Sequence, residues 1–212
     1  MSQYNQWRTM MVEQQLKARG ITDKKILKVM GEIPREKFVP VQLRDQAYND
    51  YPLAIGFGQT ISQPYVVALM CQLLELKGDE KVLDVGTGSG YQAAVLSRLA
   101  KQVVTIEKIA RLAKSARVRL KKLGFNNVRV VSGNGYQGYF PAAPYEAIKA
   151  AAAVSAMPLT WAKQLKMGGR MVFPLGQELV KISKQKNRLV RKNYGGVTFV
   201  PLIDKEKRPK AV

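Results

Sequence analysis

Short apolar runs alternate with longer amphipathic segments through the middle of the chain. The runs "KVLDVG", "QVVTIEK" and "VRVVSG" have the length of strands, and "YQAAVLSRLA" and "IARLAKSARVRLKKLG" between them have helical periodicity. Strands that alternate with helices are typical of parallel βαβ units. We therefore predict an α/β fold with a mostly parallel, doubly wound sheet, helices on both faces and a ligand crevice at the carboxyl ends of the strands.

The same rhythm continues towards the C-terminus. "YEAIKAAAA" predicts a fourth strand, "AMPLTWAKQLKMGG" a helix that stops at its glycine pair, and "RMVFPLG" a fifth strand. The following segments, "ELVKISKQKNRLVRK" and "GVTFVPL", read as extended chain that completes the sheet.

The first forty residues predict a helical extension. "YNQWRTMMVEQQLKARG" ends at Gly20, and the next helix can start from a Thr22 or Asp23 cap, before Pro34 and Pro40 break the pattern. "GFGQTISQP", residues 56–64, then predicts a polar turn ahead of the buried helix "YVVALMCQLLEL".

No internal repeat or low-complexity linker divides the chain, so we expect a single domain over residues 1–212. Within it, residues 1–64 form a helical cap and substrate-side segment. Residues 78–177 form the ligand-binding core, and residues 178–212 supply C-terminal strands and a tail.

Composition narrows the class of protein. A hydrophobic fraction of 46% with a mean hydropathy of −0.18 is typical of a soluble globular protein. The longest apolar runs are too short to span a bilayer, and the N-terminus lacks a signal-peptide pattern. We expect a cytoplasmic monomer with no membrane partner.

The chain contains no histidine and one cysteine, Cys71, which lies in an apolar run and is expected to be buried. This composition excludes Ser-His-Asp and Cys-His hydrolases and makes a catalytic zinc site implausible. We predict no metal ion and a reaction that needs no histidine base.

The formal charge is +20, from 35 basic and 15 acidic residues. Such an excess attracts nucleic acid, acidic lipid or carboxylate-bearing substrates, although it is also compatible with an adapted solvated surface. Aromatic residues are not interleaved with the basic ones as a base-stacking surface requires. The sequence therefore does not favour a nucleic-acid partner, but the alternative stays open.

"LDVGTGSG" places Asp84 at a strand end, followed by Gly86, Gly88 and Gly90. A dinucleotide fingerprint requires its third glycine where this chain has Tyr91, so that motif does not match. The glycines instead indicate a nucleoside that lacks a pyrophosphate, because backbone approaches a ligand closely where Cβ is absent. A tight turn with no ligand is the alternative.

Two further markers follow the next two strands. Glu107 can accept hydrogen bonds from ribose hydroxyls, and Asn134 in "SGNGY" can pair with an adenine edge. Each is weak alone, since Glu107 could equally be a solvated charge, but their order favours an S-adenosylmethionine pocket. The predicted cofactor residues are Asp84, Gly86, Thr87, Gly88, Gly90, Glu107, Asn134 and Gly135.

The chain resembles the protein-L-isoaspartate O-methyltransferases over nearly its whole length. The resemblance is carried by "MVEQQLKARGI", "IPREKFVP", "GQTISQP", "VLDVGTGSGYQAAVLS", "APYEAI", "QLKMGGRMVFPLG" and "VTFVPL", of which "GQTISQP" is the most family-specific. It implies a Rossmann-like methyltransferase fold and methyl transfer from S-adenosylmethionine to the free carboxylate of L-isoaspartyl residues in damaged proteins and peptides. The methyl ester then collapses to a succinimide, whose hydrolysis partly restores aspartate.

The resemblance also implies roles on the substrate side. Ser62 is expected to hydrogen-bond the incoming carboxylate as the catalytic positioning residue; the alternative is a structural N-cap for the helix that begins near Pro64. Because a carboxylate is already ionised near pH 7, it needs no general base. The predicted substrate-binding residues are Gln59, Thr60, Ile61, Ser62 and Val200.

Three positions depart from the family pattern. Asn134 and Glu146 stand where aspartate is usual, and Lys149 interrupts an otherwise apolar strand. A buried ammonium is costly, so Lys149 should either reach solvent or meet a carboxylate. The fourth strand, in "KAAAAVSA", is also poor in bulky side chains. Asn134, Lys149 and this strand motivate the alternative of a degenerate homologue that has lost turnover, and the charge motivates an RNA-directed methyltransferase.

Overall fold

Nine strands and six α-helices make up the computed structural model, which describes residues 2–186 and 188–204. The strands are β1 (Leu53–Gly56), β2 (Gln59–Ile61), β3 (Lys81–Val85), β4 (Gln102–Glu107), β5 (Val128–Ser132), β6 (Tyr145–Ala150), β7 (Leu165–Leu175), β8 (Glu178–Gln185) and β9 (Arg188–Gly196). The helices are α1 (Gln3–Met10), α2 (Lys24–Glu32), α3 (Pro64–Leu74), α4 (Tyr91–Leu99), α5 (Ala110–Lys122) and α6 (Leu159–Gln164). In the described part of the chain, no helix has both the length and the apolarity that a membrane span requires.

Seven strands form the central sheet in the order β5-β4-β3-β6-β7-β8-β9. Strands β3 to β7 pair in parallel, whereas β8 and β9 are antiparallel additions at one edge. The mostly parallel α/β fold predicted from the sequence is thus confirmed. The chain reverses its direction of winding between β3 and β6, and open α/β sheets bind ligands at such a switch point.

Apolar side chains alternate between the two faces of the sheet and build one core on each. Val82 and Val103 pack with the N-terminal helices, α3 and α4. Leu83 and Val104 point to the other face and pack with Trp161 of α6. Because both faces are covered, these strands read as nearly continuous apolar runs in the sequence.

The N-terminal extension is helical, as predicted. After α1 the chain continues through a π-helical turn, Met11–Leu16, and a short 3₁₀ turn, Lys17–Arg19. It stops at Gly20, whose φ of 86° is left-handed. The Asp23 carboxylate accepts hydrogen bonds from two amides of α2, so Asp23 rather than Thr22 is its N-cap.

The stretch 56–64 is more ordered than the predicted polar turn. β1 pairs antiparallel with β2 to form a hairpin, and Gly56, Phe57 and Gly58 at its tip all have positive φ. Strands of four and three residues are too short to give an alternation that sequence reasoning can detect. The hairpin holds residues 59–62 rigidly at the start of α3.

The helix predicted to run to the Gly168–Gly169 pair ends earlier, at Gln164, and β7 begins at once with Leu165. Tyr145 pairs with Leu165 but Ala147 pairs with Arg170, so residues 166–169 bulge out of the ladder. A Cβ on Gly169 would lie 2.9 Å from the Glu146 carbonyl oxygen. The glycine pair therefore serves a β-bulge, not a helix end.

The last described segment does not complete the sheet as expected. β9 ends at Gly196, and the chain then crosses the carboxyl ends of the strands, where Pro201 bridges to Ala153 in parallel. The Ala153 amide donates to the Val200 carbonyl, and the Leu202 amide donates to the Ala153 carbonyl. Residues 205–212, which include most of the basic tail, lie outside the described residues.

Candidate active site

A crevice opens at the carboxyl ends of β3, β4, β5 and β6, as the topology requires. The loops that follow these four strands meet the β1–β2 hairpin on one side and residues 200–203 on the other. The described residues that line it are Gln59, Thr60, Ile61, Ser62, Val67, Gly86, Thr87, Gly88, Ser89, Tyr91, Gln92, Ile106, Glu107, Lys108, Gly135, Ala151, Ala152, Val200, Pro201, Leu202 and Ile203.

The glycine loop after β3 adopts backbone conformations that residues with a Cβ rarely adopt. Gly86, Gly88 and Gly90 have φ values of 90°, 51° and 89°, in the left-handed region. Gly86 and Gly88 line the crevice, but a Cβ on Gly90 would instead lie 3.2 Å from Leu120 of α5. The glycine at position 90 therefore serves helix packing, and its direct contact with a cofactor stays a prediction.

Glu107 lies at the end of β4, inside the crevice and largely buried. Its Oε2 accepts from the Gly88 amide at 2.8 Å and its Oε1 from the Ile109 amide at 2.9 Å. Burial raises the pKa of this carboxyl, against the lowering effect of those amides. Each oxygen keeps a second lone pair, so the carboxylate can hold the glycine loop and still accept from ribose hydroxyls.

Gly135 and Asn134 follow β5. Gly135 lines the crevice, and a Cβ there would lie only 2.7 Å from Val85 Cγ1. Asn134 sits behind it: its Oδ1 accepts from the Tyr136 amide, and its Nδ2 donates to Asp204 Oδ1 at 2.9 Å. The Asp204 carboxylate thus lies beside Asn134.

Asp84 is fully buried beneath the glycine loop and is absent from the crevice lining. Its Oδ1 lies 3.6 Å from the Nζ of Lys149, which is also fully buried. The expectation that Lys149 meets a carboxylate is therefore confirmed, and the alternative that it reaches solvent is wrong. A direct role for Asp84 in cofactor binding stays a prediction. Its position favours an indirect role, in which it supports the glycine loop from below.

All five predicted substrate-side residues line the crevice: Gln59, Thr60, Ile61 and Ser62 from the hairpin, and Val200 from the crossing segment. The structural alternative for Ser62 is wrong, because Gln63 is the N-cap of α3 and Pro64 its first residue. The Ser62 carbonyl accepts from Arg35 Nη2 at 2.7 Å. Its hydroxyl has no hydrogen-bond partner among the described residues, which leaves it available to a ligand.

Arg35 is a functional candidate that sequence reasoning missed. It is completely buried, donates from Nε to the Ala47 carbonyl, and lies over the ring of Tyr91 at 4.8 Å. The segment "IPREKFVP" carried a sequence signal for this role. Arg35 lies between Pro34 and Phe38, where it has no evident local partner, so a long-range contact could have been expected. Arg35 does not itself line the crevice. The lining residues that the sequence did not predict are Val67, Ser89, Tyr91, Gln92, Ile106, Lys108, Ala151, Ala152, Pro201, Leu202 and Ile203.

A second, wider groove of about 720 Å³ lies beside the crevice. Tyr65 and Phe199 contribute aromatic surface to it, and Arg19 stacks on Tyr65 at 3.6 Å while pairing with Asp50. Three residues line both cavities: Thr60, Ser62 and Val200. Three of the five predicted substrate-side residues therefore lie at the junction of the two cavities.

The chemistry open to this crevice is positioning, not proton transfer. Of its titratable side chains, Glu107 is committed to backbone amides, and burial raises the pKa of Tyr91 to about 12, so the phenol is protonated at neutral pH. Lys108 contributes a positive charge. Such a site suits a reaction whose nucleophile arrives already ionised.

Comparison with known proteins identifies the family. The family model described as protein-L-isoaspartate(D-aspartate) O-methyltransferase matches residues 6–207. A protein-L-isoaspartate O-methyltransferase of Syntrophus aciditrophicus is 49% identical over 210 residues, with 96% of each chain covered. One of Methanoculleus marisnigri is 50% identical over 197 residues, which cover 91% of this chain and 90% of the relative.

The fold agrees with the sequence match. A Plasmodium falciparum protein assigned to the same family, solved in complex with S-adenosyl-L-homocysteine, superposes with a TM-score of 0.82 at 25% identity. The match covers 93% of this chain and 99% of that structure. The chain therefore belongs to the protein-L-isoaspartate(D-aspartate) O-methyltransferase family.

Proposed function

We propose that the crevice holds S-adenosylmethionine and that the wider groove holds the polypeptide on either side of an L-isoaspartyl residue. The protein transfers the methyl group of the cofactor to the free carboxylate of that residue, the activity for which its family is named. The resulting methyl ester initiates repair through a succinimide.

The residues of the crevice fit this cofactor. Gly86 and Gly88 line the crevice without Cβ atoms, so backbone can approach a nucleoside there, and Gly135 brings its own backbone close to Val85. Glu107 offers two acceptor lone pairs for ribose hydroxyls. Ala151 and Ala152 follow β6 directly and line the crevice. Their small side chains leave space that bulkier residues would fill.

The observation that carries the proposal is the junction. Thr60, Ser62 and Val200 line both cavities, so a carboxylate entering from the groove meets the crevice at these three residues. Effective catalysis of this step needs the carboxylate and the methyl group in line and at near-attack distance, with water excluded. The shared lining of the two cavities supports the proposal that the carboxylate and the methyl group meet there.

The bonding changes need no acid or base. One oxygen of the ionised carboxylate bonds to the methyl carbon as the methyl–sulfur bond breaks, and the electron pair stays on sulfur, which becomes a neutral thioether. In this proposal the Ser62 hydroxyl donates to the other carboxylate oxygen and fixes its direction. Arg35 holds the Ser62 backbone in place through its carbonyl.

The test is incubation with a synthetic isoaspartyl peptide and cofactor labelled in the methyl group. The expected product is a base-labile methyl ester on that peptide and none on a matched normal aspartyl peptide. Cofactor binding without any ester on the isoaspartyl peptide would contradict the proposal and favour the degenerate homologue. Salt-sensitive retention on RNA together with RNA methylation would favour the RNA-directed alternative, which no relative described above supports.

The protein is further predicted to be a single domain with three parts, to be monomeric and cytoplasmic, and to have no metal and no nucleic-acid partner. Size-exclusion chromatography with light scattering tests the oligomeric state directly.

A further inference from the structure

A row of buried polar side chains crosses the sheet beneath the glycine loop. Asp84 of β3 is the register partner of Thr105 on β4 and of Lys149 on β6. All three are 0% exposed. Parallel neighbours in register place their side chains on the same face, so the three polar groups meet between the sheet and helices α3 and α4.

The hydrogen bonds within this row have a fixed order of donor and acceptor. Asp84 Oδ2 accepts from the Thr105 hydroxyl at 2.8 Å, and the Thr105 and Thr87 hydroxyl oxygens are 2.7 Å apart. A hydroxyl has one hydrogen. Since Thr105 gives its hydrogen to Asp84, Thr87 must donate to Thr105. A hydrogen-bonded chain thus leads from Thr87, in the crevice lining, to the carboxylate.

Lys149 controls which oxygen of Asp84 can carry a proton. Burial raises the pKa of Asp84 and lowers that of Lys149, while each charge opposes the shift of the other. Nζ lies beside Oδ1, at 3.6 Å, so a proton that passes between the two groups is held on Nζ or on Oδ1 and not on Oδ2. In both states Oδ2 remains an acceptor, so Thr105 and Thr87 keep their orientation.

We propose that Lys149 is a positioning residue, which acts through Asp84 and Thr105 to anchor Thr87 and the glycine loop in the geometry that binds the cofactor. The inference rests on the proposed function and adds a role for the lysine that departs from the family pattern. Without Lys149 the buried Asp84 carboxyl becomes protonated. If the proton is on Oδ2, that oxygen no longer accepts from the Thr105 hydroxyl, and the hydrogen-bonded chain to Thr87 is broken.

Two other titratable groups face this pair. Cys71 of α3 accepts a hydrogen bond from Gln92, and burial raises the pKa of its thiol to about 12, so it stays protonated. Glu107 lies at the end of β4, where the charge of Asp84 helps to raise its pKa. Each variant is therefore compared with the parent protein at the same pH, and Thr105→Val, which leaves the lysine–aspartate pair in place, controls for a change in the titration of Glu107.

The test measures the dissociation constant of S-adenosyl-L-homocysteine by calorimetry from pH 6 to pH 9. For Lys149→Met we expect binding weaker than the parent's by on the order of tenfold at pH 6, the cost of a lost hydrogen-bonded anchor. The ratio should fall towards one as pH rises and Asp84 ionises again. In the double variant Lys149→Met with Asp84→Asn, the ratio should not change with pH.

Thr105→Val covers the case in which Lys149→Met does not fold, since valine matches threonine in shape and leaves the lysine–aspartate pair intact. It should weaken binding several-fold at every pH, whereas Thr105→Ser should bind like the parent. If the foldable variants among Lys149→Met and Thr105→Val bind within twofold of the parent at all pH values, the inference is overturned.

Amide hydrogen exchange in the cofactor-free protein separates this inference from the proposed function. Residues 86–90 should exchange faster in Thr105→Val than in the parent, while α5 exchanges at an unchanged rate. Unchanged exchange in the loop contradicts the inference even if the parent binds no cofactor. Failure of the parent protein to bind S-adenosyl-L-homocysteine, with faster loop exchange in the variant, counts against the proposed function alone.

Discussion

Arg35 holds Ser62 by its backbone. The buried guanidinium donates from Nη2 to the Ser62 carbonyl at 2.7 Å and from Nε to the Ala47 carbonyl at 2.6 Å. One planar side chain thus ties the end of the β1–β2 hairpin to the N-terminal extension. The hydroxyl that we assign to the substrate carboxylate is therefore positioned by a residue that does not line the crevice.

Replacement of Arg35 by lysine should damage both stability and turnover. A single ammonium cannot reproduce two diverging N–H donors. We expect the free energy of unfolding to fall by about 3 kcal/mol, and kcat/KM for an isoaspartyl peptide to fall more than cofactor affinity. Arg170→Lys is the matched control, because Arg170 binds carbonyls at the far end of α3. If Arg35→Lys and Arg170→Lys lower kcat/KM equally, the conclusion that Arg35 positions Ser62 is contradicted.

Ser62→Ala should reduce kcat/KM on the isoaspartyl peptide while leaving the fold and the cofactor affinity intact. Loss of one hydrogen bond to a charged group is worth about 2 kcal/mol, or roughly thirtyfold in rate. Ser97→Ala removes a serine whose hydroxyl only bonds the Ala94 carbonyl within α4, and should leave kinetics unchanged. Full activity in Ser62→Ala would show that the hydroxyl does not position the substrate.

Cofactor affinity should fall in acid as Glu107 takes up a proton. Burial raises the pKa of this carboxyl above the ordinary 4.5, so the loss begins at a higher pH than for an exposed glutamate. For folding the sign is opposite: the folded state binds the proton more tightly, so this group's contribution to stability declines as pH rises through the window. Titration calorimetry with S-adenosyl-L-homocysteine between pH 4.5 and 7.5 measures the binding effect.

Glu107→Gln is the control for that titration. Its amide nitrogen must face either the Gly88 or the Ile109 amide, so one hydrogen bond is lost, and affinity should drop about tenfold. The acid-dependent step should also disappear. Glu178→Gln, at an exposed ion pair with Arg191, should behave like the parent. Persistence of the step in Glu107→Gln would assign the titration to another group.

Asn134→Asp should weaken cofactor binding, although aspartate is the usual residue of the family at this position. The new carboxylate would face Asp204, whose Oδ1 lies 2.9 Å from Asn134 Nδ2. Like charges at that distance repel, and we expect a loss of about fivefold at low salt. Adding Asp204→Asn should restore affinity in a double-mutant cycle. Additive effects would mean that the two side chains do not interact in solution.

The +20 charge predicts faster capture of acidic substrates. For an isoaspartyl peptide rich in glutamate, kcat/KM should fall as ionic strength rises, because salt screens long-range attraction. A peptide of the same length with neutral flanks should show little change. A flat salt profile for both peptides would leave the charge without a part in substrate capture.

Sequence reasoning gave the α/β fold and the position of the ligand crevice because both depend on local patterns. Each apolar run and each helix that follows it is encoded by neighbouring residues, and parallel topology then places the loops together. The same logic identified Glu107 and Gly135 as lining residues, whereas the 59–62 stretch was implied by the family resemblance. It failed where one local pattern is compatible with two structures. The glycine pair Gly168–Gly169 can end a helix or form a β-bulge, and in this fold it forms the bulge.

Long-range contacts decided the rest. The sequence by itself determined the strands of the parallel sheet and the glycine loop, because each is set by residues adjacent in the chain. Only the tertiary structure decided that Arg35 reaches Ser62, that Lys149 meets Asp84, and that Val200 lines the same crevice as the hairpin. These partners lie 27 or more residues apart. Their pairing follows from burial, which makes an isolated charge or polar group costly until the fold supplies a partner.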